Sequence, residues 1–158
     1  GAAQAEGPGL GKPLSAADLA PWDISVMPDG SGLPPGSGTA AQGAQIYAQK
    51  CVACHGEKGA GGSASGLIPK GPITSINGGE KTIGNFWPYA STLFDYIRRA
   101  MPWQNPRTLT DQEVWDATAF ILAGNGIIKP EEVMNAQTLP QVKMPNRDNF
   151  IIPYPDRI

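Results

Sequence analysis

The sequence predicts a mainly helical domain with long irregular segments. Three stretches carry apolar residues at helical spacing, and no alternating run of polar and apolar residues is long enough to require a sheet. Glycine and proline account for 20 and 16 of the 158 residues, which is too many for a plain helical bundle. We therefore expect an all-α domain with long loops.

Composition divides the chain into three regions. Residues 1–38 form an arm rich in glycine and proline, and residues 129–158 form a tail that is again rich in proline. Residues 39–128 contain both cysteines, the single histidine and all three helical patterns. Because segments such as the arm and tail cannot bury enough apolar surface to fold alone, we predict that both are extended.

The first predicted helix begins at Thr39. Thr39 and Gln42 have the spacing of a capping box, and Gly43 and Tyr47 then fall on one side of the helix. The helix runs directly into Cys51. It therefore positions the first cysteine of the chain at a helix end.

The second predicted helix spans residues 92–100. Leu93, Tyr96 and Ile97 share one face, and the helix ends at Met101 because the residue before a proline is disfavoured in helical geometry. The pattern therefore places a methionine immediately after a helix.

The third predicted helix begins with a capping box formed by Thr110 and Glu113. Val114, Ala117, Thr118, Ile121 and Leu122 follow at helical spacing, and Gly124 ends the pattern. This helix has the most apolar pattern of the three, so we expect it in the core.

The motif Cys51-Val52-Ala53-Cys54-His55 is typical of covalent haem attachment. Two thiols at this spacing can each form a thioether with one haem, and the adjacent imidazole can ligate the iron. A thioredoxin-type pair would precede a helix in a βαβ unit, and a zinc site needs about four ligands. A structural disulfide remains the alternative. We predict one covalent haem c held by Cys51 and Cys54, with His55 as iron ligand.

The chain has one histidine and four methionines. If His55 binds the iron, the sixth position is filled by a methionine or another weak donor, or is open. Met101 and Met144 both precede a proline, which restrains the backbone and can direct a thioether from a turn. Met101 follows a helix of the central region, so we predict it as the second axial ligand. Met144, or Met101 as an ordinary core residue, are the alternatives.

Charge and hydropathy exclude several classes of function. The net charge of −2 gives no electrostatic reason to bind nucleic acid. No apolar run approaches the ~18 residues needed to cross a bilayer. The opening residues, Gly1-Ala2-Ala3, are compatible with a mature form whose export signal has been removed. Because haem is generally attached covalently in exported compartments, we expect the protein in the periplasm.

Residues 39–125 resemble a class I cytochrome c. The resemblance rests on Gly43, Tyr47, the haem motif, Met101-Pro102 and the last helix. It implies a fold of three main helices around the haem, with a backbone carbonyl, from Pro69 or Pro72, holding the proximal imidazole.

Several more specific segments resemble the SoxD cytochrome subunits of sulfane dehydrogenases. These are Trp22-Asp23-Ile24, Pro28-Asp29-Gly30, residues 32–38, residues 86–97 and Met144-Pro145-Asn146. The resemblance implies a molybdenum-containing SoxC-like catalytic partner that oxidises sulfur on a carrier protein, and a downstream cytochrome acceptor. Some members have two haem domains, so this chain is a single-haem relative or a shortened product.

Other side chains are weaker candidates for the haem site. Trp87 and Tyr89 could donate hydrogen bonds to a haem propionate, and Arg98 or Arg99 could pair with one. We expect Phe86 and Trp103 in the haem wall. Lys50, Lys58 and Lys70 could form a docking ring.

The extended arm and tail favour a subunit that wraps a catalytic partner with Trp22, Ile24, Val26, Phe150, Ile151 and Tyr154. Three alternatives are a freely diffusing periplasmic electron shuttle, the cytochrome subunit of a sulfite dehydrogenase, and an enzyme with an open iron site.

Overall fold

The computed structural model of the chain describes residues 9–69 and 81–151. Helices dominate it, with short 3-10 turns at Glu57–Gly59, Leu139–Gln141 and Arg147–Asn149. The helices and strands are, in chain order, α1 (Ala16–Leu19), β1 (Ser37–Gly38), α2 (Ala40–Lys50), α3 (Val52–His55), α4 (Ile83–Phe86), α5 (Ala90–Ala100), α6 (Asp111–Gly124) and β2 (Met134–Asn135).

The three predicted helices are confirmed as α2, α5 and α6. Thr39 caps α2 by accepting a hydrogen bond from the Gln42 N–H, and Thr110 and Glu113 form both bonds of the capping box of α6. Helix α5 begins at Ala90, two residues earlier than predicted. The local patterns therefore located these helices to within one turn.

Helix α6 lies at the centre of the core. Trp115 is fully buried on it, and its ring packs against that of Phe94 from α5, with ring centroids 4.3 Å apart. Its other buried apolar side chains include Val114, Ala117, Ala119, Ile121 and Leu122. The predicted core position of this helix is confirmed.

Gly43 allows α2 and α6 to cross closely. A Cβ atom at this position would overlap the backbone carbonyl of Asp116 and the Cβ of Phe120. One turn further along α2, the ring of Tyr47 packs on the ring of Phe120, with centroids 4.8 Å apart. The crossing fixes α2, and therefore the haem motif that follows it, against the core.

We expect Gly43→Ala to destabilise the protein by about 1 to 3 kcal/mol. Alanine is the better helix former by up to about 1 kcal/mol, so a loss of stability would report the overlap with Asp116 and Phe120. Urea unfolding measures the change, with the exposed substitution Gln45→Ala as control, for which we expect a change within about 0.5 kcal/mol. A Gly43→Ala protein as stable as the unaltered one would contradict the close crossing.

The tail, which the sequence predicts as an extended segment, contributes side chains to the core. Met134, Leu139 and Met144 are buried, and β2 in the tail pairs antiparallel with β1 at the end of the arm. Residues 9–23 of the arm are exposed. Ile24 and Val26, which follow them, are half-buried. Tyr154 lies outside the described residues.

No helix among residues 9–69 and 81–151 is long and apolar enough to span a membrane.

Candidate functional site

The haem motif lies on α3 and the residue before it. Cys51 ends α2, and the four residues of α3 carry Cys54 and His55. Both thiols and the imidazole line one cavity of about 590 Å³. This volume is within the range of about 300 to 1,000 Å³ that is usual for ligand and cofactor sites.

The chain reverses immediately after His55. Gly56 has φ +74°, and a Cβ there would overlap the Gly61 carbonyl oxygen, so the turn requires glycine. The loop then folds back on α3, because the Gly61 N–H donates to the His55 carbonyl at 2.8 Å and the Ala64 N–H donates to that of Cys54 at 2.9 Å. This loop forms one edge of the site.

The returning loop also orients the imidazole of His55. The Nδ1 atom lies 2.9 Å from the Ser65 carbonyl oxygen, which can only accept, so Nδ1 carries the proton and Nε2 is left to bind a metal. A carbonyl acceptor was expected, but Pro69 does not supply it, and Pro72 lies outside the described residues. Any residue type can offer a backbone carbonyl, so no sequence signal identified Ser65.

Tyr47 supports the same turn and was not predicted as a site residue. Its buried hydroxyl donates to the Gly56 carbonyl at 2.7 Å. Burial, followed by the charge of Cys51, raises the pKa of Tyr47, so this hydroxyl remains a donor at neutral pH. In the sequence, Tyr47 lies on the Gly43 side of α2 and contributes to the resemblance to class I cytochromes c, but no pattern there indicated its hydrogen bond to Gly56.

Met101 lies directly after α5 and lines the cavity. Its N–H donates to the Ile97 carbonyl at 3.1 Å, so the end of the helix fixes its backbone. The other three methionines do not line the cavity: Met134 and Met144 are buried in the core, and Met27 is largely exposed. The position of Met101 supports its choice over Met144, and its ligation stays a prediction.

The cysteines do not fit the alternative chemistries. Neither is in a disulfide. Burial, followed by the neighbouring Cys54, raises the pKa of the Cys51 thiol to about 11, whereas a redox-active thiol has a lowered pKa. Among the described residues, no group of three or more histidine, cysteine, aspartate or glutamate side chains could hold a metal ion.

The residues present fit a covalently held haem. Two thiols and an imidazole line the cavity together with a thioether, which is the donor set of a c-type haem. The walls are otherwise mainly apolar, as a largely apolar macrocycle requires. The apolar wall residues include Leu67, Ile83, Leu93, Ile97, Leu109, Ala117 and Ile121.

Trp87 and Trp103 line the cavity, whereas Tyr89 and Arg98 are not among its lining residues. Tyr89 instead stacks under Arg147, whose guanidinium lies 4.5 Å from the ring centroid. Arg98 pairs with Asp111 through Nε at 3.0 Å. Surface pairing therefore accounts for both side chains.

Other predicted residues also lie away from the cavity. Phe86 packs against Phe150, with ring centroids 5.6 Å apart, so it does not form the expected wall. Arg99 pairs with Asp95.

Of the predicted lysine ring, Lys50 lines the cavity and Lys58 does not, and Lys70 lies outside the described residues. Lys81 and Gln104 also line the cavity, although the sequence did not identify them. The Gln104 Nε2 lies 4.0 Å from the Sγ of Cys54. Both residues belong to irregular segments, where sequence patterns do not show which way a side chain points.

Covalent attachment gives a direct prediction for the haem-loaded protein. We expect extraction with acidified acetone to leave the haem on the chain, and its mass to exceed that of the polypeptide by one haem. Neither Cys51 nor Cys54 should react as a free thiol after denaturation. The double variant Cys51→Ala/Cys54→Ala is the control, and should release any haem it binds. Free haem from the unaltered protein, or two reactive thiols, would contradict the prediction.

The chain is similar to known proteins in sequence and in fold. Residues 38–121 match the family described as cytochrome c oxidase, cbb3-type, subunit III. Over 88 residues the chain is 30% identical to the thiosulfate dehydrogenase of Stutzerimonas stutzeri (strain A1501), which covers 56% of this chain and 28% of that protein. The chain therefore spans well under half the length of that relative.

A solved structure matches nearly the whole chain. The crystal structure of the sulfane dehydrogenase SoxCD from Paracoccus pantotrophus superimposes with a TM-score of 0.84 at 38% sequence identity. The match covers 96% of this chain and 73% of the matched chain. It therefore extends beyond residues 38–121 into the arm and the tail.

Proposed function

The chain belongs to the cytochrome c family that its residues 38–121 match, and on this premise we propose that it is the haem c electron-transfer subunit of a periplasmic sulfane dehydrogenase. In this role it accepts electrons from a molybdenum-containing, SoxC-like catalytic subunit that oxidises sulfur bound to a carrier protein. It passes them to a downstream cytochrome. The observation that carries the proposal is the similarity to SoxCD over 96% of the chain.

The bound haem would supply a one-electron redox centre. Cys51 and Cys54 would hold it covalently, and the Ser65 carbonyl would keep Nε2 of His55 directed at the iron. The apolar walls from α5 and α6 would exclude water and limit reorganisation during electron transfer. The chain's own part in the reaction is therefore electron transfer through this haem.

The exposed apolar side chains support a stable partner. Leu10, Leu14 and Trp22 are all more than 60% exposed on the arm, and Trp103 lines the haem cavity while 75% of its surface is exposed. Such side chains are costly to leave in water and are typical of an interface. A catalytic subunit covering Trp103 would lie beside the haem edge.

The predicted alternative is a freely diffusing shuttle between redox proteins. A shuttle binds briefly through a small surface and does not need a long arm that carries exposed apolar side chains. The arm therefore favours the fixed subunit.

The experiment uses the full haem-loaded chain and the purified molybdenum-containing subunit of a sulfane dehydrogenase. We expect the two to co-elute in gel filtration, and haem reduction to require both that subunit and a carrier protein bearing sulfane sulfur. If sulfite and a sulfite dehydrogenase subunit reduce the haem, whereas the sulfane dehydrogenase subunit and its sulfur-bearing carrier protein do not, the chain is instead the cytochrome subunit of a sulfite dehydrogenase. Reduction without co-elution would favour the shuttle. Carrier protein without sulfane sulfur is the control.

A further inference from the structure

The arm binds α5, the helix that ends at Met101. The Val26 N–H donates to Oδ1 of Asp95 at 3.0 Å, and the Ser25 hydroxyl accepts from Arg99 at 3.3 Å. Arg99 also donates two hydrogen bonds to the Asp95 carboxylate, from Nη2 at 2.9 Å and from Nε at 3.1 Å. One carboxylate therefore joins the arm backbone to the outer face of α5.

Two further contacts extend this attachment along the helix. The buried Ser91 hydroxyl donates to the Pro28 carbonyl at 3.0 Å near the start of α5. Arg98, which pairs with Asp111 of α6, also reaches the Ile24 carbonyl at 3.5 Å. The arm thus follows α5 over most of its length.

The same segment of the arm holds the chain on the other side of Met101. The Arg107 guanidinium donates to the Pro21 carbonyl at 2.8 Å. Arg107 has φ +62°, a left-handed conformation that a non-glycine residue rarely adopts. An unfavourable backbone conformation persists only where contacts with the rest of the protein stabilise it. The hydrogen bond from the Arg107 side chain to Pro21 is such a contact.

The loop after Met101 has little else to hold it. Residues 103–108 are exposed, and the chain becomes partly buried again only at Leu109. A loop with few buried contacts opens at low cost in free energy. Helix α5 holds one end of this loop and the N-cap of α6 at Thr110 holds the other, and Arg107 joins the loop to the arm between them.

We propose that residues 21–28, here called the clasp segment, are a positioning element that keeps the Met101 thioether on the iron. No residue of the clasp segment lines the haem cavity. The clasp segment is hydrogen-bonded both to α5, which precedes Met101, and to the loop that follows Met101. Met101 therefore cannot move away from the iron without breaking these bonds. This inference rests on the proposed ligation by Met101.

The charge state of Asp95 is consistent with a clasp that is closed at neutral pH. Burial acts to raise the pKa of Asp95, but hydrogen bonds from Arg99 and the Val26 N–H outweigh it and lower the pKa overall. The cations that face this carboxylate are Arg99 and Arg98. Asp95 is therefore ionised, and able to accept both bonds, at physiological pH.

Free imidazole tests the proposal because it binds ferric iron only where the thioether has left. Its apparent association constant is the intrinsic association constant multiplied by the fraction of molecules in the open state, so a larger open fraction gives tighter binding. We expect Arg107→Ala to bind imidazole about five- to tenfold more tightly than the unaltered haem-loaded chain. Arg107→Lys, which retains a donor, should restore part of the difference.

Arg147→Ala is the control, because Arg147 is a half-buried arginine whose guanidinium contacts the Tyr89 ring, away from the Met101 loop. It should leave the imidazole affinity unchanged. All titrations are made on folded protein, checked by circular dichroism, so general loss of stability does not mimic the effect.

The outcomes separate the clasp from the ligation. Equal imidazole affinity in Arg107→Ala and the unaltered chain, or an equal gain in Arg147→Ala, would overturn the clasp alone. A ferric spectrum without the sulfur–iron band in the unaltered chain would overturn the ligation by Met101, and the clasp with it.

Discussion

Replacing Met101 with alanine should abolish the weak sulfur-to-iron band in the red region of the ferric spectrum. It should also lower the midpoint potential of the haem by at least about 0.1 V, because a thioether ligand stabilises ferrous iron and axial ligands set haem potentials over about 0.8 V. Met101 is the methionine that lines the cavity, and α5 fixes its backbone. Absorption spectra and a redox titration of the haem-loaded protein measure both effects.

Met144→Leu is the control for this substitution. Met144 is the predicted competitor for the iron, but it is buried in the core and does not line the cavity. Leucine conserves its volume, so we expect a cost below about 1.5 kcal/mol and an unchanged spectrum. A band that survives in Met101→Ala and disappears in Met144→Leu would show that the assignment is wrong.

The helices could be predicted from the sequence because their signals are local. Thr39 and Thr110 each lie three residues before a partner side chain, and the apolar residues that follow keep a helical period. The haem motif is equally local, since Cys51, Cys54 and His55 lie within five residues. The local structure of such patterns is determined by residues close together in sequence and does not depend on the rest of the fold.

The support of the imidazole could not be predicted in this way. It comes from the backbone of Ser65 and from the hydroxyl of Tyr47, which meet α3 only because Gly56 reverses the chain. A carbonyl has no residue-type signature. The surroundings of Tyr89 and Arg98 were not predictable for a related reason, because aromatic and charged side chains also pair with one another outside the cavity, as Tyr89 does with Arg147 and Arg98 with Asp111.

The contribution of the tail to the core could not be predicted because it is non-local. Its prolines and isolated apolar residues show no helical or strand period, and this pattern is typical of segments without a core of their own. Met134, Leu139 and Met144 nevertheless fill a core made mainly by α5 and α6. A segment can be essential to a core without having a periodic sequence when other elements supply most of the buried surface.

The tail should therefore determine stability, whereas the exposed part of the arm should determine partner binding. Leu139 is fully buried, so we expect Leu139→Ala to lower the free energy of unfolding by about 2 to 5 kcal/mol in urea titrations. Val133→Ala, at a largely exposed position of the same tail, is the matched control and should change it by no more than about 0.5 kcal/mol.

Removal of residues 131–158 should have a larger effect, because among the described residues it deletes four buried side chains, those of Met134, Leu139, Met144 and Asn146, from a protein whose total stability is typically about 5 to 15 kcal/mol. We expect that chain to lose its haem spectrum. Removal of residues 1–14 deletes none of the described buried side chains, so the spectrum should remain while co-elution with the molybdenum-containing subunit weakens. A chain without residues 131–158 that keeps its spectrum and its urea midpoint would return the tail to the role predicted from sequence, that of an extension held by the partner.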